Sequence, residues 1–211
     1  MAGVGGGVVA GLSDELGVFV QAAGFLLAGG QSSRMGSDKA LLTLGGRSLV
    51  ERGLQTLGTV CAEVAILSSN PELELFGRVI PDALPGCGPL GGIVAALESS
   101  EFAWNLVLAV DVPFLPVAAL KMLLFAAATS QSMAVIPEVG GQPQPLCALY
   151  AKAAAPVLRK ELEAGHWKVT AAIKAAGEVT FAPFHRAEWF RNLNTPADFA
   201  EAEESSGGLD V

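Results

Sequence analysis

One segment of the chain is an almost unbroken apolar run that ends in a carboxylate, NLVLAVD, closing at Asp111. Such a run is typical of a strand buried on both faces of a parallel sheet. Other short apolar runs alternate with segments whose apolar residues recur at helical spacing. The segment SLVERGLQTL, for example, begins with a capping box of Ser48 and Glu51. Strands that alternate with helices predict an α/β fold with a mostly parallel sheet.

The predicted elements extend over most of the chain. Strands are predicted at FLL, EVAILSS, RVIPD, NLVLAVD, MAVIP, PLCALY and EVTFAP, and helices at SLVERGLQTL, PLGGIVAALESS, VAALKMLLFAAA, AAPVLRKELEA, TAAIKAA and after NTPAD. No break in composition separates them, so a single domain is predicted over residues 19–204. A flexible N-terminal tail is predicted at residues 1–18 and a disordered C-terminal tail at residues 205–211.

Charge and composition exclude several classes of function. The net charge of −8 argues against nucleic acid or a membrane surface as partners, because both are polyanionic. It does not exclude a small anionic ligand, which responds to local charge. The three cysteines lack CxxC spacing, so neither a disulfide framework nor a zinc site is predicted, and a reducing cytoplasm fits. The N-terminus lacks a basic signal-peptide region, and no run is long and apolar enough to span a bilayer.

The glycine-rich segment LLAGGQSSRMGSDKALL follows a predicted strand and carries two cations, Arg34 and Lys39. Free backbone N–H groups in such a loop, together with positive side chains, favour a bound phosphate. The spacing is not that of an ATPase P-loop, because the position that would need the second glycine, counted from Gly30, is Met35. The adjacent Gly29 and Gly30 also fail the dinucleotide fingerprint.

Asp111 is the candidate ligand for Mg²⁺. A carboxylate after a buried strand is costly unless it meets a cation, and Mg²⁺ typically takes one or two carboxylates plus substrate phosphates. The alternative is an N-cap for the next helix, which Pro113 and Pro116 make less fitting. Ligands in open α/β sheets bind at the carboxyl ends of strands, so Asp111 and the loop after Leu27 are expected to face one crevice.

The pattern L-A-G-G-x-x-x-R-M-G-x-D-K, from Leu27 to Lys39, resembles the signature of the nucleotidyltransferase superfamily, and most closely the molybdenum cofactor guanylyltransferases. Further blocks of the same family follow in the family's order: PD at 81–82, GPLGG at 88–92, DVPFLP at 111–116, QPLCA at 144–148 and NLNTP at 192–196. The resemblance covers about residues 24 to 204.

The resemblance implies the fold of the nucleotide-diphospho-sugar transferases, which is three-layered and Rossmann-like, with helices on both faces of the sheet. It implies transfer of GMP from GTP to the terminal phosphate of molybdenum-bearing molybdopterin, with Mg²⁺ as cofactor and release of pyrophosphate. Proteins of molybdoenzyme maturation are candidate partners. The acceptor is already a phosphate dianion near neutral pH, with a second pKa of roughly 6, so alignment and charge neutralisation are the main needs.

The resemblance also assigns the site. The catalytic residues are Arg34, Lys39 and Asp111, with Asp111 as metal ligand. The nucleotide-binding residues are Leu27, Ala28, Gly29, Gly30, Lys39, Ser68, Asn70, Asp82 and Asp111, and the second substrate is assigned Asn192 and Asn194.

Each assignment has a structural alternative. Lys39 is a solvated lysine on a first helical turn in that reading, and Arg34 closes the loop by pairing with Asp38. Asp82 is then a turn residue before a proline and glycine segment. The segment Asn194-Thr195-Pro196-Ala197-Asp198 has a strong reading as a helix cap, with Thr195 as N-cap, which leaves the two asparagines unexplained.

Two departures from the family pattern affect substrate contacts. Relatives often carry asparagine where this chain has Ser68, and Asn70 stands two positions later. Relatives are often more basic around Gly165-His166-Trp167-Lys168, where only Lys168 is firmly cationic here.

Other functions are weighed against guanylyl transfer. The sister enzymes that use CTP tend to show Leu-Ala-Ala-Gly, whereas this chain has Leu-Ala-Gly-Gly. A sugar-phosphate or polyol-phosphate nucleotidyltransferase usually has extra sequence for its substrate. A non-catalytic nucleotide-binding module would not need both Lys39 and Asp111. A nicotinamide-dependent oxidoreductase lacks its strand-linked fingerprint here.

Overall fold

The computed structural model describes residues 20–29 and 38–206, with side chains described as far as residue 204. The strands are β1 (Ala22–Leu27), β2 (Thr43–Leu44), β3 (Arg47–Ser48), β4 (Glu63–Leu67), β5 (Val79–Ile80), β6 (Trp104–Ala109), β7 (Ala134–Val139), β8 (Gln142–Pro143), β9 (Cys147–Ala151) and β10 (Val179–Phe184). The helices are α1 (Leu49–Gly58), α2 (Pro89–Ser99), α3 (Val117–Ala128), α4 (Ala155–Glu163), α5 (Val169–Ala176) and α6 (Pro196–Ser206).

The main sheet has the strand order β10-β7-β9-β6-β1-β4-β5, with β8 paired to β7. Pairing is parallel between β1 and its neighbours β4 and β6, between β4 and β5, and between β7 and β10. Strand β9 runs antiparallel to both β6 and β7, and β8 antiparallel to β7. The predicted mostly parallel sheet is therefore confirmed. Strand β9 was predicted as a strand, at PLCALY, but its antiparallel direction was not, and the small hairpin of β2 and β3 was not predicted.

Apolar side chains pack on both faces of this sheet, which explains why β1 and β6 have near-continuous apolar sequences. One face of the sheet contributes Leu26 and Leu108, which cluster with residues of α1, α3 and α6. The opposite face contributes Leu27 and Val107, which cluster with residues of α2, α4 and α5. The molecule is thus three-layered, with helices on both faces, as predicted.

The helix starts follow the local sequence. Ser48 accepts a hydrogen bond from the Glu51 backbone while the Glu51 carboxylate accepts from the Ser48 backbone, so the predicted capping box at α1 is confirmed. Val50 and Leu57 of α1 are fully buried. Helix α1 therefore presents an apolar stripe to the sheet.

The three cysteines are free thiols, Cys87 and Cys147 buried and Cys61 partly so. Burial raises the pKa of Cys61 and of Cys147 to about 12, so both stay as neutral thiols at physiological pH. The three cysteines therefore pack as small apolar residues.

The two tails predicted from the sequence lie wholly or mostly outside the described residues. Helix α6 extends to Ser206, two residues into the predicted C-terminal tail. The rest of that tail and the predicted N-terminal tail at residues 1–18 lie outside the described residues. Within the described ranges, no helix combines the length and the apolar character needed to cross a membrane.

Candidate functional site

The carboxyl ends of β4, β1 and β6 meet at one edge of the sheet. Leu27 at the end of β1 pairs with Leu67 of β4 and with Ala109 of β6. Backbone bonds continue past the strands, since the Val110 N–H donates to the Leu27 carbonyl at 3.0 Å and the Ala28 N–H to the Leu67 carbonyl at 3.0 Å. The loop after Leu27 and the loop after β6 therefore begin side by side, which is the crevice that the sequence predicted.

The Lys39 ammonium is the centre of a cluster at this edge. Its Nζ donates to Asp111 Oδ2 at 3.0 Å and to Asn194 Oδ1 at 2.8 Å. The Lys39 side chain is only 12% exposed and that of Asp111 26% exposed. The structure thus brings a predicted phosphate ligand, the predicted metal ligand and a predicted second-substrate residue into direct contact. A solvated surface lysine does not fit this burial.

Asn194 is held in place by the start of α6. The Leu193 N–H donates to the backbone carbonyl of Asp111 at 2.9 Å, which joins the two loops. The Asp198 carboxylate accepts from the backbone N–H groups of Asn194 and Thr195, each at 2.7 Å, and these bonds lower the pKa of Asp198. The Thr195 hydroxyl accepts from the Asp198 N–H at 3.2 Å, so the predicted cap is confirmed. Asn192, on the same loop, is exposed.

Lys39 itself opens a short 3₁₀ turn, Lys39–Leu41, and Asp38 caps that turn. Asp38 Oδ1 accepts from the Ala40 N–H at 2.9 Å, and Asp38 Oδ2 accepts from the Asn70 side-chain amide at 2.5 Å. Ala40 is fully buried beneath the turn. The structure therefore gives Asp38 a structural role, as the cap of the Lys39 turn and the partner of Asn70.

Sequence reasoning missed the link between Asp38 and Asn70. Asn70 is the N-cap of a second 3₁₀ turn, Pro71–Leu75, and its Oδ1 accepts from the Glu72 N–H at 3.0 Å. The dipeptide of asparagine and proline at 70–71 is a local signal for such a cap, because proline suits the first helical position. That signal gives the orientation of the Asn70 amide but not its partner, which is distant in sequence.

Ser68 follows β4 and is buried, with 3% of its surface exposed. Its N–H donates to the Ile80 carbonyl at 3.0 Å, and its hydroxyl accepts from the Asn70 N–H at 3.1 Å and lies 3.5 Å from the Ala28 carbonyl. These bonds connect β4, β5 and the start of the glycine loop. A direct contact of Ser68 or Asn70 with nucleotide stays a prediction.

Asp82 occupies the other side of the same edge, after β5. A Cβ at Gly92 would lie 3.3 Å from Asp82 Oδ1, and one at Gly29 would lie 3.9 Å from it. The carboxylate thus lies between the glycine loop and the first turn of α2. Burial raises the pKa of Asp82 above its usual range. The N-cap of α2, Gly88, has a φ of 66° and provides no side-chain cap, which leaves the first N–H groups of the helix for other acceptors.

The described residues around Gly29 leave room for a larger side chain. A Cβ there would meet the Leu67 carbonyl at 3.6 Å and Ser68 Cα at 3.9 Å, both ordinary van der Waals distances. Among the described residues, no contact demands glycine at this position. Close approach of a ligand to the backbone is the remaining physical reason for it.

Gly30 and Arg34 lie outside the described residues. In the segment predicted to be less basic than in relatives, the His166 ring nitrogen Nδ1 lies 2.9 Å from the Glu161 carboxylate, and Trp167 is 50% exposed. His166 therefore has a carboxylate partner on the surface.

The described part of this edge offers few acidic groups for a metal ion. Over residues 20–29 and 38–204, no group of three or more histidine, cysteine or acidic side chains is placed to hold a metal ion. Asp111 supplies one carboxylate, one oxygen of which bonds to Lys39. That donor set fits a cation whose other ligands come from substrate oxygens, which is how Mg²⁺ is commonly held beside phosphates.

Known proteins are similar to this chain in sequence and in fold. The curated "Probable molybdenum cofactor guanylyltransferase" of Pelotomaculum thermopropionicum is 36% identical over 200 residues, covering 87% of this chain and 92% of the relative. The "Molybdenum cofactor guanylyltransferase" of Cereibacter sphaeroides is 37% identical over 187 residues, covering 85% and 94%.

Solved structures agree in fold. The molybdopterin-guanine dinucleotide biosynthesis protein A of Archaeoglobus fulgidus superposes with a TM-score of 0.75 at 27% identity, covering 88% of this chain and 98% of that one. The 2-C-methyl-D-erythritol 4-phosphate cytidylyltransferase of Thermus thermophilus, at 19% identity and a TM-score of 0.65, shows the fold alone. Residues 24–178 match the family described as the MobA-like NTP transferase domain. The chain belongs to this family of nucleotidyltransferases.

Proposed function

We propose that the protein transfers GMP from GTP to the terminal phosphate of molybdenum-bearing molybdopterin, which forms the guanine dinucleotide cofactor and pyrophosphate. The observation that carries the proposal is the Lys39 ammonium, which bonds to both Asp111 and Asn194 at the carboxyl edge of the sheet. The curated relatives named as guanylyltransferases support the choice of reaction.

The reaction is an in-line displacement at phosphorus. An oxygen of the acceptor phosphate forms a bond to the α-phosphorus of GTP, and the bond from that phosphorus to the α,β-bridging oxygen breaks. The bridging oxygen leaves with the electron pair as part of pyrophosphate. No proton has to be removed from the acceptor, because a phosphate monoester is largely dianionic near neutral pH, with a second pKa of roughly 6.

The protein therefore has to align two polyanions and offset their repulsion. Lys39 provides a point charge for the triphosphate, and Arg34 is proposed to add a second. The backbone at Leu27, Ala28 and Gly29 is proposed to bind the nucleotide, together with Gly30 and with Asp82 from the same edge of the sheet. The amides of Asn192 and Asn194 are proposed to orient the acceptor.

Nucleotidyltransferases of this family generally use a divalent metal, and we propose Mg²⁺ with Asp111 as its protein ligand. When bound, the ion would offset the negative charge that develops on the oxygens around the α-phosphorus. Asp111 fits this role because it is a partly exposed carboxylate whose present partner is a cation. Proteins that deliver or receive the pterin cofactor remain candidate partners.

The test begins with nucleotide binding. The midpoint of thermal unfolding is measured with Mg²⁺ and, in turn, GTP, CTP, UTP or ATP. A ligand that binds only the native state at a hundredfold excess over its Kd stabilises it by roughly 2.7 kcal/mol. We expect a shift with GTP that is lost in the Asp111→Ala variant, followed by pyrophosphate release when molybdopterin is added. A shift with CTP alone would assign the cytidylyl reaction instead. If no pyrophosphate is released when GTP and molybdopterin are both present, the proposal is contradicted.

A further inference from the structure

We propose that Asn70 is a positioning residue that acts on Lys39 through Asp38, rather than a nucleotide ligand. The inference rests on the proposed function for the role of Lys39. Its structural basis is a chain of hydrogen bonds that starts at the carboxyl end of β4 and ends at the turn that carries Lys39. The bond from the Asn70 amide to Asp38 Oδ2, at 2.5 Å, is the central contact of that chain.

The orientation of the Asn70 side chain is set by its own turn. Its Oδ1 accepts from the Glu72 N–H at 3.0 Å, and its backbone N–H donates to the Ser68 hydroxyl at 3.1 Å. With the oxygen occupied, the amide nitrogen must point away from the Pro71–Leu75 turn, and there it meets Asp38. Two of the four hydrogen-bonding positions of this side chain, and the backbone N–H of the residue, are thus used within the protein.

Asp38 transmits this constraint to Lys39. One carboxylate oxygen bonds to the Asn70 amide, and the other accepts from the Ala40 N–H at 2.9 Å. The 3₁₀ turn between them has only three residues, Lys39–Leu41. So short a turn cannot maintain its own direction, because helical structure is cooperative and costly to start. A carboxylate fixed at both oxygens therefore sets where the Lys39 side chain leaves the backbone.

The direction matters because Lys39 has two partners to reach. Its Nζ contacts Asp111 at 3.0 Å and Asn194 at 2.8 Å, and both partners lie on loops from other parts of the chain. The end of the turn is tied to the start of α1, because the Leu49 N–H donates to the Leu42 carbonyl at 2.9 Å. The link through Asn70 connects the Lys39 turn to β4 across the opening of the crevice.

The two side chains can be exchanged to test this. Asp38→Asn places two amide donors face to face, and Asn70→Asp places two carboxylates face to face. In the double variant Asp38→Asn/Asn70→Asp, the new amide can donate to the new carboxylate, while the bonds from Ala40 and Glu72 keep their acceptors. The net charge is that of the wild type. The control is Glu98→Gln, which removes a carboxylate paired with Arg159. Glu98 lies near the C-terminus of α2, whereas Asp82 lies beside the first turn of that helix.

We expect each single substitution to lower kcat/KM for GTP by about tenfold or more, because a hydrogen bond to a charged group is lost. The double variant should return to within about threefold of the wild type, and Glu98→Gln should match the wild type. A double variant no better than the weaker single variant would overturn the inference, since a residue that touches nucleotide directly is not rescued through Asp38. Single variants with wild-type kinetics would overturn it as well.

A second cycle separates positioning from a general effect on folding. In a Lys39→Ala background, Asn70→Asp should lower kcat/KM no further, because the group that it positions is already absent. Effects that add in this background would assign Asn70 a role independent of Lys39 and contradict the inference.

Crystal structures of the same variants decide the inference without any substrate. The distance from Lys39 Nζ to Asp111 should exceed hydrogen-bond range in both single variants and return to about 3 Å in the double variant. An unchanged distance in the single variants would overturn the positioning role. Absence of guanylyl transfer by the wild type would instead contradict the proposed function and leave this structural comparison intact.

Discussion

Two carboxylates at the same edge of the sheet have opposite surroundings. Asp111, after β6, is paired with the Lys39 ammonium at 3.0 Å. Asp82, after β5, is half-buried between Gly29 and the first turn of α2, and burial raises its pKa. The first is placed to exchange one cation for another. The cost of burying the Asp82 carboxylate can be offset by a proton or by a ligand that donates a hydrogen bond to it.

The difference divides the crevice into two parts with different tasks. The part around Asp111 gathers charged and amide groups from three distant segments, which suits phosphates and a metal. The part around Asp82 combines a carboxylate with glycines, which suits a flat, neutral group that offers N–H donors to the carboxylate and lies close to the backbone. In the proposed function these are the triphosphate and the guanine base.

A second concave region of the molecule lies away from the candidate site. A surface pocket of about 390 Å³ lies at the opposite edge, near the amino ends of β7 and β10, and Ser130, Ser132 and Thr180 are among its lining residues. Their hydroxyls bond to one another at 2.6 to 3.1 Å, and the charged lining residue is the carboxylate Glu178, so the lining offers bonded hydroxyls and a negative rather than a positive charge. The chemistry of the carboxyl edge, not its volume, identifies the site.

The largest effect is expected where the metal is proposed to bind. Asp111→Ala should lower pyrophosphate release about a thousandfold, because transition-state charge is no longer neutralised. The free energy of unfolding should change by less than about 1 kcal/mol, since the side chain is partly exposed and its loss leaves no buried cavity. Initial rates and thermal melts measure the two quantities. Activity near that of the wild type would remove Asp111 from the metal site.

Lys39→Ala should have the next largest effect and should fall mainly on nucleotide binding. The affinity for GTP with Mg²⁺ should drop by about tenfold to a hundredfold, because one charge-assisted contact to phosphate is lost. Isothermal calorimetry measures it, with Lys160→Ala on exposed α4 as the matched control. Unchanged GTP affinity would place Lys39 outside the nucleotide site.

Gly29→Ala tests the other half of the crevice without disturbing the fold. The free energy of unfolding should stay within about 1 kcal/mol, because a Cβ there meets only ordinary contacts. The ratio of kcat/KM for GTP to that for CTP should fall by about tenfold, because the added methyl group occupies space near the proposed base. An unchanged ratio would remove Gly29 from base selection.

The smallest effect is expected from Asp82→Asn and depends on pH. A carboxylate with a raised folded pKa contributes stability below its unfolded value, 3.8, and loses it as the pH rises through the folded value. The variant has no such loss. Its melting temperature relative to the wild type should therefore rise from about pH 4 upward and then level off. A difference in melting temperature that does not depend on pH would mean that burial does not raise the pKa of Asp82.

Much of the fold could be predicted because local sequence determines it. The apolar run of β6 and the capping boxes at Ser48 and Thr195 are short-range patterns, and the structure has each of them. The antiparallel strand β9 was predicted as a strand without its direction, since direction depends on which neighbours it pairs with.

The candidate site was predicted as a set of residues from the family pattern. The sequence determined that Lys39, Asp111 and Asn194 were worth naming, because their residue types suit phosphate, metal and amide contacts. Only the tertiary structure decided that one ammonium bonds to the other two, and that Asn70 faces Asp38 instead of standing free. Residues so far apart along the chain meet only because parallel strands end at a common edge, and no local pattern encodes such a meeting.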